Sequence, residues 1–265
     1  MSKKFALSYV SSIQAFVALR SRDKNTSAPK AFFGIGNPKL EGKSGVSSGS
    51  LDKLAGDCRS DLPASAEMVR ALAMLPDTGK EIQTVGKMLA PKDPKPWSLG
   101  SEAVEEQVRR LPLDQYRVLY FATHGLLPGE LKCQTEPALV LTPPSITPKD
   151  KSADGLLQAS EISTLKINAD LVVLSACNTA GGNGKFGGEA LSGLAEAFFY
   201  AGARGLVVSH WQVPSETTAL LMTNMFSKFG SEFNTGPSRA LSEAQQFISK
   251  QKGKEHPYFW AAFTI

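Results

Sequence analysis

The sequence predicts an α/β fold on a mainly parallel sheet, and three observations carry that prediction. Strand-like and helix-like stretches alternate along the chain. Several strand-like runs are short and apolar on both faces, as strands covered by helices on two sides must be. The helix-like stretches between them begin and end on residues suited to those places.

Taken in order, the candidate strands are 4–10 (KFALSYV), 31–37 (AFFGIGN), 117–123 (RVLYFAT), 171–176 (LVVLSA), 204–210 (RGLVVSH) and 258–265 (YFWAAFTI). Helices are expected over 64–75, 101–111, 188–201, 215–229 and 237–249. Ser215 is placed to cap the fourth of these, Gly230 to end it, and Pro237 to open the fifth. Residues 41–63 read as a polar excursion and 141–152 as a proline-rich one. Both ends fall inside expected strands, which points to a single domain over residues 1–265 carried within a longer chain.

Composition narrows the function classes. The chain has 265 residues, 42% hydrophobic and 20% charged, which is ordinary globular usage. Its net charge of +4 comes from scattered basic residues, without the basic stripe and stacking aromatics of a nucleic-acid surface. Cys58, Cys133 and Cys177 are odd in number and lack ligand spacing, which argues for a reducing compartment and against zinc. No apolar run approaches the length of a membrane span, and the N-terminus lacks a signal peptide's pattern. The expected location is the cytoplasm, with no membrane and no direct nucleic-acid contact.

Two strand ends carry the chemistry. YFATHGLL (120–127) places His124 just past a strand, and LVVLSACNTAGG (171–182) places Cys177 in the equivalent position on another. In open α/β sheets functional groups gather at the carboxyl ends of strands. Neighbouring parallel strands would bring the two side chains within reach. An imidazole can take the proton of a thiol and later return it to a leaving amine. The N–H groups of Gly125 and Cys177 could stabilise the oxyanion. Small residues around the sulfur, Ser175, Ala176, Asn178, Thr179 and Ala180, keep the cleft open. Taken singly, a cysteine in an apolar strand is more often inert core, and a histidine more often structural. Spacing alone leaves both readings standing.

Longer text adds a resemblance. FATHG, ADLVVLSACNTAGG, GEALSGLAEAFFYAGARGLVVSHWQV and HPYFWAAFTI, with LSYVSS and GIGNP before them, resemble the successive blocks of a CHAT domain. This is the caspase-like module of clan CD cysteine peptidases. The resemblance implies a caspase-hemoglobinase-like three-layer α/β/α sandwich, with His124 and Cys177 on the dyad positions and neither metal nor organic cofactor. It also implies flanking tetratricopeptide repeats as a regulatory partner. Where many members carry two acidic residues after WxV, this chain has Pro214 and Ser215, leaving Glu216 alone. By analogy with caspases, Ser175, Ser209, His210, Trp211, Gln212 and Glu216 are the substrate-pocket candidates.

Other features are decoys. GNGKFG (182–187) fits a dinucleotide or phosphate loop only on paper, because no acidic residue follows at the next strand tip and Phe186 stands where Ser or Thr is needed. His210 reads as a wall residue and His256 as part of the turn before the last strand. Trp211 and Trp260 read as core, as does the apolar face of 215–229. The function expected is a cysteine endopeptidase cutting a protein substrate or its own parent chain under control of flanking domains. The alternative is an inactive peptidase-like interaction module.

Overall fold

Apolar runs covered on both faces leave a parallel sheet as the stable arrangement, and the computed structural model has one. It describes residues 27–43, 66–144, 153–175, 189–211, 213–230 and 236–265, together with Ser8 and Val17. Apart from Ser8, the expected strand over 4–10 lies outside them.

Among the described residues the central sheet has six strands: β1 (Lys30–Pro38), β2 (Trp97–Gly100), β3 (Tyr116–Ala122), β7 (Leu171–Leu174), β8 (Leu206–Ser209) and β9 (Phe263–Thr264). Their order is β2-β1-β3-β7-β8-β9, the first five parallel and β9 antiparallel to β8. A second, antiparallel sheet is made of β4 (Gly125–Leu126), β5 (Ala138–Val140) and β6 (Leu156–Gln158). The helices are α1 (Ala66–Arg70), α2 (Pro76–Leu89), α3 (Glu105–Arg110), α4 (Ala159–Ser163), α5 (Glu189–Ala201), α6 (Ser215–Phe229) and α7 (Pro237–Ile248).

Period-2 alternation along the strands divides the core in two. Val118, Tyr120 and Ala122 of β3 join Val173 of β7 against Ile82, Val85 and Leu89 of α2 and Met222 and Phe226 of α6. Leu119 and Phe121, with Val172 and Leu174, pack instead against Val108 of α3, Ile162 of α4 and Leu194 and Phe198 of α5. Helices on both faces of a mainly parallel sheet give the α/β architecture expected, consistent with a caspase-like fold.

Two glycines set how closely α2 approaches. A Cβ on Gly34 would lie 2.4 Å from Cγ2 of Ile82, and one on Gly36 2.2 Å from the Ala122 carbonyl oxygen. Neither clash is tolerable, so β1 must be bare on that face for α2 to seat. Thr78 then ties the helix start to the strand end: its hydroxyl accepts from the Asn37 N–H at 3.1 Å and donates to the Leu75 carbonyl at 2.7 Å.

Three expectations need correction. The helix expected over 64–75 is described only as α1, because Ala73 leaves the helix to bridge Gly42 and Leu75, at φ −125 and ψ 62, is not helical before Pro76. The strand expected over 258–265 is first a 3-10 turn, Pro257–Phe259, capped by the His256 ring accepting from the Tyr258 N–H; only Phe263–Thr264 pairs. Ser215 is the first helical residue of α6 rather than its cap, which is Pro214 and makes no side-chain bond. Gly230 does end α6, with φ +71, and Pro237 does open α7.

Candidate functional site

The site is built on the carboxyl ends of β3 and β7, which are hydrogen-bonded neighbours with Tyr120 opposite Val173 and Phe121 opposite Leu174. The Ser175 N–H donates to the Phe121 carbonyl at 2.9 Å, so the pairing continues one step past β7. Extending the β7 to β8 register by two residues from Val173 opposite Val207 sets Ser175 beside Ser209. Both serines are buried.

His124 follows β3 and is 3% exposed. Its backbone is pinned on both sides, Thr123 by its hydroxyl to the Val140 carbonyl and His124 by its own carbonyl, which accepts from the Val140 N–H at 2.9 Å. The ring Nε2 lies 2.7 Å from the Ala73 carbonyl oxygen. A carbonyl only accepts, so Nε2 carries the hydrogen and donates it; in the neutral ring Nδ1 then holds the lone pair. Desolvation lowers the His124 pKa below its ordinary value, and the bond to Ala73 opposes that in part. The ring is therefore neutral at pH 7, in the tautomer that has Nδ1 ready to take a proton.

Gly125 opens β4 opposite Leu139. With the Val140 N–H bonded to the His124 carbonyl, the Gly125–Leu139 pair is a non-hydrogen-bonded one, and the Gly125 N–H is aimed away from β5.

On the α2 face lies Glu81, 2% exposed and absent from the sequence-based site. Its Oε1 accepts from two hydroxyls, Tyr120 on β3 and Ser175 at 2.5 Å. Among the described residues Oε2 has no hydrogen-bond partner. Burial pushes the carboxyl up to about 7, against the lowering effect of the Ser175 and Tyr120 bonds, with Asp77 adding a smaller upward push. The Ala73 carbonyl was equally invisible in the sequence, since a backbone group has no signature of its own.

Three other pocket candidates are exposed. His210 is exposed, with Nε2 2.8 Å from the Thr264 hydroxyl. Trp211 donates its indole N–H to the Tyr258 carbonyl at 2.9 Å, its ring partly in solvent. Glu216, in the first turn of α6, is exposed and faces Lys254 at 3.4 Å. Cys177, Gln212 and the GNGKFG turn lie outside the described residues. Cys133 is disulfide-bonded, which does not fit three reduced thiols. Among the described residues no group of three or more His, Cys, Asp or Glu is arranged to hold a metal ion. No helix among them is long and apolar enough to cross a membrane.

The model of the CHAT domain family matches residues 1–265, the whole chain. Two relatives carry the same name, "Tetratricopeptide repeat protein 28". The mouse protein is 32% identical over 110 residues, covering 42% of this chain and 4% of its own length. The human protein is 28% identical over 199 residues, covering 63% of this chain and 8% of its own length. This chain thus spans a small fraction of the relatives it matches.

Proposed function

Because the chain belongs to the CHAT domain family, a module related to caspase-like peptidases, we propose that it is a cysteine endopeptidase acting through His124 and Cys177. The observation that carries this reading is the state of His124: neutral, oriented by the Ala73 carbonyl, and at the tip of the strand next to β7. Nδ1 would take the Cys177 proton as the sulfur attacks the scissile carbonyl. The N–H groups of Gly125 and Cys177 would hold the oxyanion of the tetrahedral intermediate. The imidazolium would then protonate the leaving amine, and a water deprotonated by the same ring would release the acyl group. General acid–base help of this kind contributes about 10²- to 10⁴-fold.

Burial supports the cycle in a specific way. It disfavours an imidazolium standing alone, so the ring is neutral until it takes the thiol's proton, and the anion left on the sulfur is what would hold that proton there. Ser209, His210, Trp211, Gln212 and Glu216 would line the pocket for the residue before the cut bond, with Ser175 beneath. The substrate would be a protein or a segment of the parent chain. The name of the relatives supports tetratricopeptide repeats as the flanking regulator.

A non-proteolytic interaction module is the second reading, favoured by the near-complete burial of the His124 ring. New amino termini settle which applies. The chain is incubated with a cell extract and the termini are labelled; a set lost in both Cys177→Ala and His124→Ala supports the peptidase, and an identical set in all three overturns it.

A further inference from the structure

The geometry points to Glu81 as a positioning residue that joins the tips of β3 and β7 through one carboxylate oxygen and so fixes the spacing of the proposed dyad. This rests on the peptidase reading above. Tyr120 stands four residues before His124 and Ser175 two before Cys177, and both donate to Oε1 of the same carboxyl. The sheet alone leaves this joint weak. The β3 to β7 ladder ends with Phe121 opposite Leu174, and the Ser175 N–H adds a last backbone bond to Phe121. Beyond it β3 turns away into β4 to pair with β5.

Packing does not explain the residue type. α2 is held against the sheet by Ile82, Val85 and Leu89 and by the bare face of Gly34 and Gly36. A leucine at 81 would bury apolar surface there without the cost of a carboxyl whose Oε2 has no partner. What a leucine could not do is accept from two hydroxyls on two strands. The seating of α2 brings the carboxyl to the level of the last rungs, where two donors converge on it. The bifurcated acceptor therefore serves orientation, and its effect on the dyad is carried by Tyr120 and Ser175 rather than by contact with substrate.

The test follows the alkylation of Cys177 by iodoacetamide against pH in the intact protein, with the modified peptide identified. The wild type is compared with His124→Ala, Glu81→Leu, Glu81→Gln and Ser175→Ala. The expected result is that Glu81→Leu and Ser175→Ala slow the reaction near neutral pH about tenfold and move its midpoint toward the free-thiol value of about 8.5. Glu81→Gln, which keeps an oxygen acceptor, stays within about threefold of wild type. Glu81→Leu takes away the acceptor shared by the buried Tyr120 and Ser175 hydroxyls and melts somewhat lower than wild type, so rates are compared at a temperature where every variant is folded, which separates lost positioning from lost structure. A folded Glu81→Leu or Ser175→Ala with an unchanged rate and midpoint overturns the proposal. If Glu81→Leu does not fold, Ser175→Ala decides alone. Alkylation indifferent to His124 in the wild-type background removes the dyad itself and the positioning role with it; dependence on His124 without dependence on Glu81 removes only the latter.

Discussion

Glu81 and Glu105 are both buried glutamates on helices against the same sheet, on opposite faces of it, and they are held in different ways. Glu105 of α3 accepts the Gly155 N–H at 2.6 Å and the Arg109 guanidinium at 3.0 Å, and Arg109 reaches on to Glu161 of α4. Asp154, also buried, accepts from the Leu156 N–H at the start of β6. That network links α3, β6 and α4, and a cation sits within it. Glu81 has two neutral hydroxyls and no cation on its bonded oxygen. The difference teaches that burial raises both carboxyls, Glu105 to about 8 and Glu81 to about 7, but only Glu105 is tied to a cation and through it to a second helix. Glu81 stands where the strands carry chemistry.

The sharpest way to break this contrast is to remove each carboxylate. Glu105→Ala leaves the Gly155 N–H buried without its acceptor and strips Arg109 of a partner, which should cost about 3 kcal/mol in urea unfolding. Cys177 alkylation should be unchanged in that variant at a temperature where it is folded. Glu81→Leu should alter thiol reactivity in a protein that still folds, the loss of the acceptor shared by the Tyr120 and Ser175 hydroxyls being offset in part by relief of the buried carboxyl.

Raising the pH probes both sites together. The folded-state values of Glu81, Glu105 and Asp154 (about 7) lie above their ordinary ones, so the native state holds more protons than the unfolded chain between the two. Stability from this source is fully present below pH 4 and falls as pH rises through 7 to 8. Ionising Glu81 in the folded protein costs about 3 kcal/mol more than in the unfolded chain, the net of burial against the Ser175 and Tyr120 bonds. His124 acts in the opposite sense, because its lowered value makes protonation below about pH 6.5 favour unfolding. Urea midpoints at pH 5, 6, 7 and 8 should decline across the range, less steeply from 7 to 8 than from 6 to 7, and Glu105→Gln should flatten the last step. A midpoint that rises from 7 to 8 would contradict the burial of these carboxyls.

Smaller still is the outer arm of the network. Glu161 is partly exposed, so Glu161→Gln should cost no more than about 1 kcal/mol by the same unfolding assay. Disulfide mapping without reductant sharpens the chemical side. The dyad reading expects Cys133 to pair with Cys58 and Cys177 to remain a thiol; a Cys133–Cys177 link would mean a nucleophile that works only after reduction.

Four of the five parallel strands of the central sheet were legible where apolar runs were long enough to show a period, whereas the four-residue β2 was not expected. β1, β3, β7 and β8 lie within two residues of expectation. α2 escaped because Pro76, Gly79 and Gly86 look like breakers, although Gly86 is small for a physical reason: a Cβ there would meet the Trp97 ring at 3.0 Å. β4, β5 and β6 are two or three residues long, too short for alternation to register. His124 was found because a strand, a histidine and a glycine follow one another. The Ala73 carbonyl that fixes its tautomer was not, since any residue supplies a carbonyl. Glu81 was missed because an acid between Lys80 and Ile82 reads as the edge of a solvent face until the packing of α2 on β1 is known.

The central claim is that His124, oriented by Ala73, serves Cys177, and the pH dependence of Cys177 alkylation in wild type and His124→Ala tests it without any substrate. The account predicts a thiol that reacts well below the free-thiol pKa of about 8.5 and loses that reactivity with His124. A Cys177 that titrates as a free thiol in both proteins would contradict it.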